Sequence, residues 1–178
     1  MTSSDHPRKE AATIYCLLAV KKQASIAYDA GEVFRLIERC RSGISLLDTT
    51  AVRPYQSGHE LAKSIRDGIS YKVWLELRRI GFSVAELAAV VGISEKTISR
   101  KQHAHERLDV VEGDRTMRLA HVTLDAARAF GDLDKAMRWL RKPNRVLAGE
   151  KPIDLITTEP GAALVNQVLG TIEYGGVA

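Results

Sequence analysis

The 178 residues give enough chain for one domain or two small ones, and 45% hydrophobic with 27% charged residues is the composition of a folded protein rather than a disordered one. Aromatics at 6% suit helical packing better than a sandwich or barrel, and a net charge of +4 is compatible with a polyanionic partner without requiring one. No cleavable leader is visible and no segment has the apolar length to span a bilayer, so a soluble, cytoplasmic protein is expected. Cys16 and Cys40 form no CxxC pair and read as buried, reduced thiols.

Residues 1–9 are polar and expected to be disordered. EAATIYCLLAVKKQASIAYDA (10–30) holds a dense apolar run, which its alanines and flanking lysines favour as a helix. In GEVFRLIERCRSG (31–43), Val33, Leu36, Ile37 and Cys40 recur at helical spacing, with Glu32, Arg35, Glu38 and Arg39 elsewhere. That predicts an amphipathic helix stopped by Gly43. DTTAVRPYQSGH (48–59) reads as a linker, and a new unit begins near Gly58. The extension 1–57 is therefore predicted helical and separate. From Gly58 onward every segment reads as helix broken by short turns, with no hairpin dipeptide between alternating strands, so the expected class is all-α.

FSVAELAAVVGISEKTISRKQHAHERL (82–108) carries the strongest local pattern. Ser83 and Glu86 have capping-box spacing, Val84, Leu87, Ala88 and Val91 form an apolar stripe, and Gly92 supplies the sharp stop. Ser94 caps the next helix, and Ile93 and Ile98 face the first. At about 100° per residue, Lys96, Ser99, Arg100, His103 and Arg107 share one face, with Ile98 opposite. A solvated basic face on an ordinary surface helix would look the same, but the capped helix and turn glycine before it favour DNA binding. The segment resembles the helix-turn-helix of Xre-like repressors. It departs at Lys101, where that group has an apolar or aromatic residue, which leaves the packing of this helix end open. On this reading Lys96, Thr97, Ser99 and Arg100 face base edges, with Arg100 able to take a guanine bidentately. Lys101, His103 and Arg107 complete the DNA-binding set, with Lys101 and Arg107 on phosphates. One such unit reads few bases, so a homo-oligomer, dimer or higher, is expected.

Beyond it, residues 114–130 are predicted as a helix apolar on two faces, Met117, Ala120, Leu124 and Ala127 on one and Leu119, Ala126 and Phe130 on another. Gly131 ends it, and Asp132 caps LDKAMRWL, which Pro143 stops near Arg141. Trp139 and Leu140 read as core. Asn144 caps a short helix, and Gly149 and Pro152 frame another at Pro152 to Ile156. Thr158 caps a last helix with Pro160 in its first turn and a predicted buried stripe of Leu164, Val165, Val168, Leu169 and Ile172. The glycines of YGGVA (174–178) leave a small tail that either frays, as most termini do, or approaches a partner closely.

On residues alone this module serves equally for assembly of a stand-alone repressor. The order RLA…A…FGD…A..WL…PN..L.G..P.DL..TE.GA..V…LG.IEYG over 112–176, however, resembles the C-terminal toxin-binding domain of Xre/MbcA/ParS-type antitoxins. The resemblance rests on Arg118, Ala127, Phe130, Gly131, Trp139, Leu140, Pro143, Asn144, Leu147, Gly149, Pro152, Leu155, Gly161, Val165, Leu169, Gly170 and Gly175. It implies an antitoxin whose partner is a RES-domain toxin from the same operon, acting on NAD, and whose C-terminal end (Glu173, Tyr174, Gly175, Gly176, Val177 and Ala178) blocks the toxin's active site. It also implies repression of the antitoxin's own operon. The implied division is an N-terminal extension at 1–57, a helix-turn-helix domain at 58–110 and a compact helical toxin-binding domain at 111–178. No GxxxxGKS/T or GxGxxG loop, triad spacing or metal set is present, and the histidines of HAH (103–105) point apart on a helix. No enzyme, cofactor or metal is expected.

Overall fold

The computed structural model describes residues 58–173. The predicted disordered start, the helices at 10–30 and 31–43, both cysteines and the tail 174–178 lie outside them. The described residues are helical, in the order α1 (Gly58–Arg66), α2 (Lys72–Arg79), α3 (Val84–Val91), α4 (Glu95–His103), α5 (Val110–Phe130) and α6 (Leu133–Leu140), then a 3-10 turn at Arg145–Leu147, α7 (Pro152–Leu155) and α8 (Glu159–Glu173). The all-α expectation holds there: the one ladder element is an isolated antiparallel bridge between Ser70 and Arg107. The last residues of the predicted linker already form the start of α1.

Local chemistry sets the ends of these helices. Ser83 Oγ accepts from the Glu86 backbone N–H at 3.1 Å while Glu86 Oε2 accepts from the Ser83 N–H at 2.8 Å, so α3 starts on a complete capping box. Gly92 closes α3 at φ +79°. A Cβ there would lie 2.1 Å from Arg115 Nη1, whose guanidinium donates to the Val91 carbonyl at 2.8 Å, so the turn also carries a side chain of α5 across it. Ser94 caps α4, Asp132 caps α6, and Asn144 Oδ1 accepts from the Val146 N–H at 2.8 Å to start the 3-10 turn. Gly161 N–H donates to Thr158 Oγ1 at 3.2 Å at the start of α8.

The long helix α5 is the axis of the fold. It begins at Val110, earlier than the predicted start at 114, because Asp109 and Glu112 form a second capping box. Helices α6 and α8 pack on it from one side of the sequence and α1, α2 and α3 from the other. Its two predicted apolar faces are both buried, Leu119, Ala120 and Ala126 completely, with Phe130 only partly covered. The fully buried Trp74 of α2 donates from Nε1 to Thr116 Oγ1 of α5 at 3.0 Å, which satisfies two polar groups inside the core. Leu140 is buried, whereas Trp139 is half-buried with its ring 5.5 Å from that of Phe130. One expectation fails: Leu164 is 52% exposed. The stripe of α8 is centred on Val165, with Gly161, Ala162, Val168 and Leu169 buried beside it, and Leu164 lies about 100° from that centre.

Candidate functional site: a basic helix face and the C-terminal helix end

Helices α3 and α4 form the helix-turn-helix, held by the buried Leu87, Ala88 and Val91 on one and Ile98 on the other. The outward face of α4 carries Lys96, Ser99, Arg100 and His103, all exposed. Thr97 is half-buried because its hydroxyl sits 2.8 Å from Ser94 Oγ, within the cap. His103 Nδ1 lies 2.7 Å from the Ser99 carbonyl oxygen. Arg100 donates to Glu106 at 2.6 Å, with the two side chains 58% and 39% exposed. A pair that exposed contributes little to stability and is readily exchanged for another anion.

Two members of the expected set are placed elsewhere. Helix α4 ends at His103, so Arg107 is not on its face; its Nε and Nη2 donate to the Gly68 carbonyl at 2.8 and 2.5 Å. That contact, the Ser70–Arg107 bridge and the Leu108 N–H to Ile69 carbonyl bond at 2.8 Å fasten the chain after α4 to the α1–α2 turn. Lys101 turns inward and donates to Glu112 at 2.5 Å, with side chains only 12% and 6% exposed. The pair joins the end of α4 to the first turn of α5 and occupies the position left open by the sequence.

A third polar contact ties the first half of the fold to the second. Arg141, just past α6, donates from Nε to Glu86 at 2.6 Å and from Nη2 to the Gly81 carbonyl at 2.8 Å, and its guanidinium lies 5.7 Å from the Phe82 ring centroid. Burial works against the Glu86 carboxylate, but hydrogen bonds from Arg141 and from Ser83 outweigh it and hold the pKa below the usual carboxylate value. The same hydrogen bond raises the pKa of Arg141. Nothing local in the sequence signals this pair, which spans fifty-five residues.

At the other end, Arg118 of α5 bonds Asp114 at 2.5 Å and reaches the Thr157 carbonyl at 3.5 Å, before α8. Glu173, the last described residue, points its carboxylate inward to Arg128 Nε at 3.2 Å, its side chain 12% exposed. The other expected toxin-binding residues, Tyr174, Gly175, Gly176, Val177 and Ala178, lie outside the described residues. Val146 and Leu164 are exposed apolar side chains of the same part of the chain.

The fold thus defines a helix-turn-helix DNA-binding protein with a second helical unit built onto its last helix. Residues 60–121 match the model of the antitoxin Xre-like helix-turn-helix domain, and residues 125–175 match that of the antitoxin Xre/MbcA/ParS C-terminal toxin-binding domain. An Antitoxin Xre of Pseudomonas putida is 31% identical over 120 residues, 67% of this chain and 74% of that protein. An Antitoxin Xre of Photorhabdus laumondii is 28% identical over 127 residues, 70% of this chain and 86% of that protein. A Sphingobium protein named Prs ADP-ribosylating antitoxin is 28% identical over 97 residues, 49% of this chain and 61% of that protein. The chain belongs to the Xre antitoxin family. Helix α5 serves both matched regions: the first match ends, and the second begins, within it.

Proposed function

We propose that this antitoxin neutralises a RES-domain toxin encoded beside it, by placing its C-terminal end, residues 174–178, in the toxin's NAD-binding active site, while Glu173 stays with the fold on Arg128. It represses their shared operon through α4. The observation that carries this reading is the joining of a helix-turn-helix and a toxin-binding unit on one continuous helix. The Sphingobium relative's name, which couples an antitoxin to ADP-ribosylation, supports a toxin that consumes NAD.

On the DNA side, Lys96, Thr97, Ser99 and Arg100 face the bases and His103 the backbone. Arg100 leaves the weak pair with Glu106 for a guanine edge, which offers two acceptors to its planar fork. Lys101 and Arg107 act indirectly, by fixing α4 against α5 and the α1–α2 turn. Two copies on paired half-sites supply the specificity that one short helix lacks.

Two variants test the division of labour. Arg100→Ala is expected to weaken operator binding by about 1–3 kcal/mol and to leave inhibition of NAD turnover intact. Deleting Tyr174 to Ala178 should do the reverse. Equal loss of both activities in either variant, or full inhibition by the truncated chain, contradicts the proposal.

A further inference from the structure

We infer that Arg115 is a positioning residue for the recognition helix: from α5 it holds the α3–α4 turn and so sets the angle at which α4 meets DNA. The inference rests on the reading of α4 as the helix that reads bases, and it makes α5 the part that aims it.

Helix α3 has no basic residue in its last turn to face the negative end of its dipole. A cation reaches that end from α5 instead: Arg115 Nη1 donates to the Val91 carbonyl at 2.8 Å, across 24 residues of sequence. The same guanidinium stands where a side chain of residue 92 would begin, with Nη1 2.1 Å from the ideal Cβ position. Gly92 therefore answers two demands. Its φ of +79° suits glycine, but asparagine also reaches that region, so conformation alone leaves a choice. The space held by Arg115 leaves none, because a Cβ there is accommodated only by moving the guanidinium aside. Three residues before Arg115, on the same face of α5, Glu112 holds Lys101 of α4 at 2.5 Å. Helix α5 thus grips α4 at both ends, by the turn before it and by its later half. Between the two grips α4 buries one side chain, Ile98, so its angle depends on them. Without Arg115, α4 stays fastened at Lys101 and Ile98, and its first turn, with Lys96 and Thr97, is free to tilt. A recognition helix meets base edges with its N-terminal residues, so a tilt there costs base contacts and spares phosphate contacts.

The test uses the full chain, the duplex it selects from a random-sequence DNA pool and an unrelated duplex of the same length. It reads the affinity for both, the salt dependence of each and thermal stability. Arg115→Ala should bind the selected duplex on the order of tenfold more weakly, the cost of about one mismatched base pair. Its affinity for the unrelated duplex and its salt slope should be the parent's. Arg115→Lys, which keeps a donor and a charge for the end of α3, should recover part of that loss. Gly92→Asn should reproduce the Arg115→Ala loss, and combining the two should cost little more than either alone, since both empty the same contact. Parent-like discrimination between the duplexes by Arg115→Ala overturns the inference, as does an additive double variant. A loss shared equally by both duplexes, with a salt slope lower by about one unit, puts Arg115 on a phosphate and overturns it too. So does a loss that disappears once binding is referred to the folded fraction at the assay temperature. If the parent selects no sequence from the pool, the reading of α4 as a base reader fails and takes this inference with it.

Discussion

The buried pair of Lys101 and Glu112 gives the sharpest energetic test of how the recognition helix is held. With 12% and 6% of their side chains exposed, both groups are largely withdrawn from water. Removing one partner of such a pair typically costs about 3–5 kcal/mol, because the other is left charged and unpaired. Here Glu112 keeps a second bond, from the Asp109 N–H at 2.9 Å, and it sits in the first turn of α5 where the helix dipole favours it. Lys101→Ala should therefore destabilise the chain by about 2–4 kcal/mol. Lys101→Met with Glu112→Gln removes both charges together, keeps the volume and keeps a side chain able to complete the capping box. That double variant should lie within about 1 kcal/mol of the parent, a coupling of about 2 kcal/mol or more in a double-mutant cycle followed by urea unfolding. Its operator affinity should show the parent's salt dependence, since no phosphate contact has been lost. Additive single effects under about 1 kcal/mol, with a salt slope lower by about one unit, would instead put Lys101 on the DNA.

Gly161→Ala should destabilise the chain by about 1–3 kcal/mol in thermal unfolding, because its Cβ would lie 2.1 Å from the Leu155 carbonyl oxygen. Gly170→Ala should stabilise the free chain by about 0.4–1 kcal/mol through helix propensity, having no neighbour to strike; an equal cost at both positions would contradict the packing described. Burial dominates the raised pKa of Asp125, so its ionised form destabilises the fold relative to its protonated form. A raised carboxyl pKa contributes stability that is full below the unfolded value of 3.8 and is lost as pH rises through the folded value. Asp125→Asn should thus raise the melting temperature at pH 7, with the gain shrinking as pH falls toward 3.8. A variant less stable at pH 7 than at pH 4, relative to the parent, reverses the sign and refutes the assignment.

Much of the described fold was legible because its signals are local. Ser83 with Glu86, Ser94, Asp132 and Asn144 each cap within three residues, and Gly92 and Gly131 mark left-handed turns by their chemistry. The early start of α5 was also in the text, as Asp109 and Glu112 at capping-box spacing before an apolar run. Leu164 went astray because a stripe read by residue type extends to any leucine next to it, whereas burial follows angle. The basic face of α4 was readable from helical period, and even Lys101 shows why: it falls at about 140° from Lys96, on the shoulder beside Ile98. Its partner Glu112, the Gly68 carbonyl that holds Arg107, and the Glu86–Arg141 and Arg128–Glu173 pairs were not readable. Each depends on how separate helices meet in space, and no residue spacing encodes that.

The most direct measurement is a native pull-down of the tagged full chain from cells that also express its neighbouring gene, followed by an NAD turnover assay on whatever is recovered. The account predicts a stoichiometric RES-domain partner that is silent in the complex and consumes NAD once the antitoxin is stripped away. Recovery of the chain alone, or of a partner whose NAD turnover is the same with and without it, would contradict that claim and leave a DNA-binding protein whose C-terminal unit serves only assembly.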